Sequence, residues 1–215
     1  MAELSDYNVS GSLLGLGQFI LLEILCEMTI PQDARQFLLN ESQGKQQGNK
    51  FIHSDEYNDW CTIAIDPAIK VGIVRFEVVF KNSGGRILGI ADASCSFAAG
   101  RHPADDGNKE KTVRYYYSGY LDHITNGTIG NGRYEDGQRI SAIVDMTSNP
   151  RKVVFYVDDI EQPNFVIGIP SEIRFWAYTY DSSSSFTVTK FERLIQFTQQ
   201  GIVGSKAFQW GKSWK

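Results

Sequence analysis

The chain has 215 residues, which is enough for one β-sandwich with extensions or for two small domains. Its formal net charge is -4, with 21 Lys and Arg against 25 Asp and Glu, and it has no dense basic run. Because phosphates and anionic lipids attract basic surfaces, this balance excludes nucleic acid as the main partner and disfavours an anionic membrane surface. The 20 glycines and the aromatic share of 13% favour many short strands joined by tight turns.

Residues 1–44 are predicted to form an N-terminal helical segment with two helices. From Gln18 to Met28 nearly every residue is apolar, so the first helix must be buried against another surface. The second helix is predicted to start at an N-cap, Thr29, and to run to about Asn40. The partner-binding face of the first helix comprises Phe19, Leu22, Leu25 and Met28. The apolar stripe of the second comprises Ala34, Phe37 and Leu38.

The apolar stretch from Leu13 to Cys26 is too short to span a membrane, and Gln18 and Glu23 interrupt it. The chain starts without the basic residues of a secretory signal. Three isolated cysteines cannot make a disulfide framework, so we expect reduced thiols in a reducing compartment. These observations together predict a cytoplasmic protein.

Residues 45–50 belong to a polar, glycine-punctuated stretch that we interpret as a linker. After it the apolar residues alternate, which is typical of strands with one buried face. This pattern predicts a sandwich domain over residues 51–195. No helical pattern interrupts the strands, so a parallel α/β sheet is not expected. Strands are predicted over 71–81, 86–91, 113–117, 138–146, 152–157, 173–180 and 186–194, the last two as a closing hairpin.

The tail, residues 196–215, contains Trp210 and Trp214. Terminal segments are often disordered, yet an exposed tryptophan usually covers an apolar surface. The sequence leaves both possibilities open.

Residues with catalytic potential are scattered. His53, His102 and His123 stand at no recognisable metal-ligand or triad spacing. The acidic loop 105–110 lacks the ligand spacing of a calcium loop and contains a lysine, so a solvated loop is the better interpretation. We therefore expect no cofactor, no metal and no enzymatic activity.

An ordered series of motifs between Trp60 and Leu194 resembles the SPRY (B30.2) family. The matching stretches are Ile73–Val78, Gly89–Ala91, Tyr117–Tyr120, Tyr134–Asp145 and Lys152–Asp159. Where the family has a glycine after the isoleucine of its central motif, this chain has Ser141. Where the family has Asn-Gly, it has Asp158-Asp159, which suggests a different turn type.

The resemblance implies an all-β, concanavalin A-like bent antiparallel sandwich, preceded here by the helical pair. It also implies a non-enzymatic module that binds a peptide or protein partner through loops at one end, as an adaptor or scaffold. Aromatic side chains and arginine are the residues that most often anchor such interfaces. The candidate ligand-binding residues are Asp92, Arg101, His102, Tyr117, Tyr120, Trp176 and Tyr178.

Two alternatives stay open. Lectins use the same architecture and aromatic platforms, so a glycan-binding sandwich is the first. The second rests on residues 19–39, which resemble the first half of an F-box and would imply a substrate adaptor for ubiquitin ligation. The helices would in either case provide a route into a larger assembly.

Overall fold

The computed structural model describes residues 36–39, 41–54, 56, 58–128 and 130–214. The predicted partner-binding helix, with Phe19, Leu22, Leu25 and Met28, lies outside these residues. Among the residues described, no helix has the length and apolar character needed to cross a membrane.

The described residues form two sheets, and almost all neighbouring strands are antiparallel. In chain order the strands are β1 (Phe37–Leu38), β2 (Gly44–Gln47), β3 (Lys50–His53), β4 (Cys61–Ile69), β5 (Ile73–Lys81), β6 (Arg86–Asp92), β7 (Thr112–Tyr116), β8 (Leu121–Asp122), β9 (Arg139–Asp145), β10 (Lys152–Val157), β11 (Ile160–Glu161), β12 (Asn164–Ile167), β13 (Ile173–Thr179), β14 (Ser185–Leu194) and β15 (Lys206–Gln209). One sheet has the order β1-β4-β13-β6-β7-β8, and the other the order β15-β12-β10-β9-β5-β14-β3-β2, with β11 beside β10. This arrangement confirms the predicted all-β sandwich.

The core lies between the two sheets and follows the alternation in the sequence. On β5, every second residue from Val74 to Phe80 is almost fully buried. Phe76 pairs in register with Ala142 on β9, which in turn faces Phe155 on β10. Across the sandwich, the Phe76 ring stacks 5.0 Å from the ring of Phe175 on β13. Each such side chain contributes about 1.5–3 kcal/mol through burial, so these rows hold the sheets face to face.

Two connections cross from one sheet to the other at the same end of the sandwich. Residues 82–85 join β5 to β6, and residues 180–184 join β13 to β14. The Asp181 carboxylate accepts hydrogen bonds from the backbone N–H groups of Gly84 at 2.6 Å and Gly85 at 3.2 Å, which ties the connections together. The predicted closing hairpin is therefore wrong, since β13 and β14 belong to different sheets. A short polar turn between two alternating strands fits a hairpin and a crossing equally well.

The segment before the predicted sandwich also contributes strands. Phe37 and Leu38 form β1 and pair with Ile65 and Ala64 of β4, so the predicted second helix does not extend to Asn40. Residues 45–50, predicted as a linker, lie in the hairpin of β2 and β3, which turns at Gly48 with φ +60. Both predictions failed for one reason. A strand at a sheet edge is held by main-chain hydrogen bonds and needs no alternating apolar residues.

The tail packs back on the sandwich. Strand β15 lies parallel to β12 at one edge of the larger sheet. Trp214 keeps only 3% of its surface exposed, and its ring stacks 5.0 Å from the ring of Phe208. The sheets thus draw strands from both sides of residues 51–195.

The Asp158-Asp159 turn has the geometry that the sequence argued against. Both residues have positive φ, 47 and 67, and Val157 pairs with Ile160 on either side of them. Positive φ at both central residues is what the primed two-residue hairpin requires, and Asn-Gly usually supplies it. The expectation of a different turn type is wrong, because aspartate tolerates this conformation and Arg139 binds both carboxylates.

Candidate functional site

The outer face of the smaller sheet carries a second apolar cluster beneath the loop between β6 and β7. We call residues 93–111 the cover loop. Trp176 is the centre of the cluster, and the ring of Phe97 from the cover loop lies 5.8 Å from its indole. The other members are Ala64, Ile87, Ala91 and Tyr178, with Cys95 and Tyr116 packed against them. Burying this cluster fixes the loop on the sheet.

Trp176 does not fit its predicted role as a ligand-binding residue. It is fully buried, so it has no surface to offer a ligand. Its neighbour on β6 is Gly89, where an added Cβ atom would overlap the indole. The alternation in β13 places Trp176 and Tyr178 on the same face, but only the structure shows that the cover loop lies over the former.

Aromatic side chains gather where the cover loop meets the end of the sheet that carries the two crossings. The His102 ring lies 5.9 Å from the ring of Trp60, 5.9 Å from that of Tyr178 and 6.4 Å from that of Tyr116. Sheet register explains the meeting, because Tyr178 and Tyr116 both pair with Ile87 from opposite sides. We call Trp60, His102, Tyr116 and Tyr178 the aromatic rim.

The rim is electrically neutral at physiological pH. Burial lowers the pKa of His102 from its ordinary value, and the charge of the nearby Arg114 lowers it further. Burial also raises the pKa values of Tyr116 and Tyr178. The rim therefore offers ring faces, hydroxyl groups and an imidazole, and it suits a partner that presents apolar surface with a few hydrogen-bonding groups.

Several aromatic side chains in this part of the surface are open to solvent. Trp60, Tyr117, Tyr120 and Tyr180 are 36–41% exposed. Tyr117 and Tyr120 lie in the turn between β7 and β8, where the Tyr116 N–H donates to the Tyr120 carbonyl at 2.9 Å. The guanidinium of Arg86 lies 5.1 Å from the centre of the Tyr117 ring and holds it in place.

The structure brings together most, but not all, of the predicted ligand-binding residues. His102 and Tyr178 belong to the rim, although Tyr178 is only 6% exposed. Tyr117 and Tyr120 lie in the turn that follows Tyr116, and Arg101 is exposed beside His102. Asp92 does not join them, because it ends β6 five residues beyond Ile87, about 17 Å away.

Asp92 instead belongs to a separate, shallow site. Its carboxylate accepts the Ser94 N–H at 2.8 Å, and it lines a cavity of about 390 Å³ with Pro170 and Glu172. Sequence reasoning missed Trp60, Tyr116 and Tyr180 as site residues. Trp60 had a usable signal, since a tryptophan just before the first long strand has no buried face to fill.

The acidic loop, residues 105–110, hydrogen-bonds to the backbone of the cover loop that contains it. Asp105 accepts the His102 N–H at 3.1 Å, and Asp106 has φ 55 before Gly107. Within the described part of the chain, no group of three or more His, Cys, Asp or Glu side chains could hold a metal ion.

Solved structures of SPRY domains share this architecture. The SPRY domain of human HERC1 is 13% identical, with a TM-score of 0.51 over 78% of this chain and 99% of that one. A human SPRY domain is 11% identical, with a TM-score of 0.53 over 68% and 94%. The PSpry domain of TRIM65 is 13% identical, with a TM-score of 0.50 over 76% and 90%.

No protein-family model matches the sequence, and neither does any curated protein. The likeness to solved structures therefore establishes the fold and leaves the partner to be argued from the site. The described part of the chain has the SPRY (B30.2) fold, a concanavalin A-like antiparallel β-sandwich.

Proposed function

We propose that this protein is a non-enzymatic binding module that holds a peptide or protein partner at the aromatic rim. One observation carries the proposal: exposed aromatic rings are concentrated beside a rim whose other rings are already fixed by packing. Tryptophan and tyrosine dominate binding energy at protein interfaces because they bury a large area and lose few torsional degrees of freedom. The rim and its neighbours supply Trp60, Tyr117, Tyr120 and Tyr180.

The neutral character of the rim favours a partner with an apolar anchor over a strongly charged one. The Nε2 atom of the His102 ring lies 3.4 Å from the Tyr116 hydroxyl, so the rim contains two polar groups among its rings. Burying a ring that is now about 40% exposed is worth roughly 1–2 kcal/mol, so two or three such rings supply about 2–6 kcal/mol, and the surrounding contacts must supply the rest of the affinity.

The test compares partner capture by the full chain and by rim variants. Trp60→Ala and Tyr120→Ala are each expected to lower recovery of a specific partner by at least about tenfold, the equivalent of 1.4 kcal/mol. Val71→Ala is the matched control, because Val71 is exposed and precedes β5, at the opposite end of the larger sheet from the two crossings. Equal recovery by the rim variants and the control would overturn the proposal. So would a glycan array on which the rim variants, but not the control, lose a saccharide signal.

We also propose that the N-terminal segment joins the protein to a larger assembly in the cytoplasm, in an adaptor or scaffold role. The wide apolar face between Gln18 and Met28 supports this proposal. A deletion that tests it should stop at residue 35, because Phe37 and Leu38 belong to a sheet. The truncated chain is expected to keep its rim partner and to lose higher-order association in light scattering. An unchanged oligomeric state would contradict the assembly role.

A further inference from the structure

The C-terminal residues Lys206–Trp214 are attached to the sandwich in the way that a separate peptide would be. Strand β15 adds to the free edge of β12, the position that peptides take when they extend a sheet. At the two ends of this pairing, the Lys206 N–H donates to the Pro163 carbonyl at 3.1 Å and the Trp210 N–H to the Ile167 carbonyl at 2.9 Å. The preceding turn is open to solvent, and Val203 within it is fully exposed. We call residues Lys206–Trp214 the C-terminal segment.

His123 is the polar group on which the C-terminal segment closes. It is fully buried, and its ring lies 4.6 Å from the ring of Trp210 and 5.3 Å from that of Trp214. Its Nδ1 lies 2.8 Å from the Thr112 carbonyl oxygen. Its Nε2 accepts the backbone N–H of Gly211 at 2.9 Å.

These two contacts determine the protonation state of the ring. A carbonyl oxygen can only accept, so Nδ1 carries the proton and donates to Thr112. A backbone N–H can only donate, so Nε2 must be the unprotonated nitrogen that accepts from Gly211. The docked segment thus requires neutral His123. Adding a proton to Nε2 would set two donors against each other and bury a charge.

The surroundings of His123 shift its pKa in both directions. Burial lowers the pKa of His123, and Arg114, which donates to the His123 carbonyl, lowers it further. The hydrogen bond to Thr112 and the charge of Glu110 act the other way. The ionisable groups on the described elements around the ring include Lys109, Glu110, Lys111, Arg114 and Asp122, and the C-terminal segment adds the exposed Lys206 and Lys212.

We infer that the edge of β12, together with His123 and Thr125, forms a peptide-binding groove that the chain's own C-terminal segment occupies, and that the groove releases this segment when His123 takes up a proton. The fitting occupant is an extended strand that carries an aromatic residue, here Phe208, and is followed by further aromatic residues, here Trp210 and Trp214. Thr125 completes the groove, because its hydroxyl oxygen accepts a hydrogen bond from the backbone N–H of Trp214 at 2.9 Å.

The direction of the pH dependence follows from proton uptake. An exposed histidine titrates near 6.5, and docking holds the pKa of His123 below that value. Between the two values the undocked state binds more protons than the docked state, so docking weakens as the pH falls. The dissociation constant of the segment should rise by about tenfold for each pH unit below 6.5, until the lower pKa is reached. Above 6.5 it should be constant.

The test uses the full chain with a protease site inserted after Val203. After cleavage at pH 8, the C-terminal segment is expected to stay bound through gel filtration. Its dissociation constant, measured with a fluorophore on Lys212 by dilution at pH 8 to 5.5, is expected to rise along the profile given above. Loss of the segment at pH 8 would overturn the groove.

Three outcomes at lower pH would overturn the role of His123. They are a flat profile in the parent protein, the same profile in a His123→Phe variant, and loss of β-sheet circular dichroism over the same pH range. Thr125→Ala covers the case in which His123→Phe fails to fold. It removes one acceptor and should raise the dissociation constant at every pH without changing the profile. The matched control His102→Gln should keep the parent profile, because His102 lies in the aromatic rim.

Discussion

Trp176 offers the sharpest test of how the cover loop is held. Its indole buries about 200 Å² beneath Phe97, which corresponds to about 5 kcal/mol at 25 cal/mol per Å². Its Nε1–H finds no acceptor among the residues that the structure describes, a defect that costs about 1–3 kcal/mol. Trp176→Ala loses this burial and also removes the unpaired donor, so it should lower the free energy of unfolding by about 2–4 kcal/mol. Trp176→Phe loses only about 1 kcal/mol of burial but removes the unpaired donor, so it should stay within about 1.5 kcal/mol of the parent protein.

The assay is equilibrium unfolding in urea, followed by circular dichroism so that the signal does not depend on tryptophan. Trp60→Ala is the matched control, and it should cost less than about 2 kcal/mol because much of its indole remains in water. A loss below about 1.5 kcal/mol for Trp176→Ala would show that the cover loop does not bury this ring in solution. A loss above about 2 kcal/mol for Trp176→Phe would mean that the indole N–H is satisfied after all.

Three further predictions concern other parts of the fold. Gly89→Ala should cost at least about 3 kcal/mol in urea unfolding, because its methyl group overlaps the indole above it; a loss under about 1 kcal/mol would contradict this packing. Asp181→Ala should cost about 1.5–3 kcal/mol, since it removes a charged acceptor shared by two backbone N–H groups, and Asp181→Asn should recover part of the loss. Burial raises the pKa of Cys61 and also raises that of Cys95, to about 11. Iodoacetamide at pH 7.5 should therefore label both thiols only after unfolding, as mass spectrometry can show, and rapid labelling of the native protein would contradict the burial.

The alternation of apolar residues carried most of the fold prediction. Strands β5, β9 and β10 were predictable because the apolar residues that they contribute to the main core recur at every second position, from Val74 on β5 to Val157 on β10. Long central strands follow this rule since one of their faces lies against the opposite sheet. The short edge strands do not follow it, so β1 and β2 were missed.

The sequence did not indicate which strands pair with each other. Nothing in the residues around Asp181 distinguishes a crossing from a hairpin, since both place one face of each strand in the core. The site shows the same limit. Trp176 and Tyr178 share a face and a chemistry, and only the path of the cover loop decides that the first is fully buried beneath Phe97 and the second is part of the rim. Nothing in the sequence distinguished His123 from His53 and His102, because its role depends on Gly211, which lies 88 residues further along the chain.

The tie between the two crossings has a consequence for any ligand that reaches the rim. Thr179, next to Tyr178, shares hydrogen bonds with Ser83 at 2.8 Å and Ser184 at 2.5 Å, so the end of the sandwich beneath the rim is braced from both sheets. Ordering a loose side chain costs about 0.5–1.5 kcal/mol on binding, and rings that are already held avoid much of that cost. Association at such a surface should proceed in one kinetic step, and the free and bound backbones should superpose within about 1 Å.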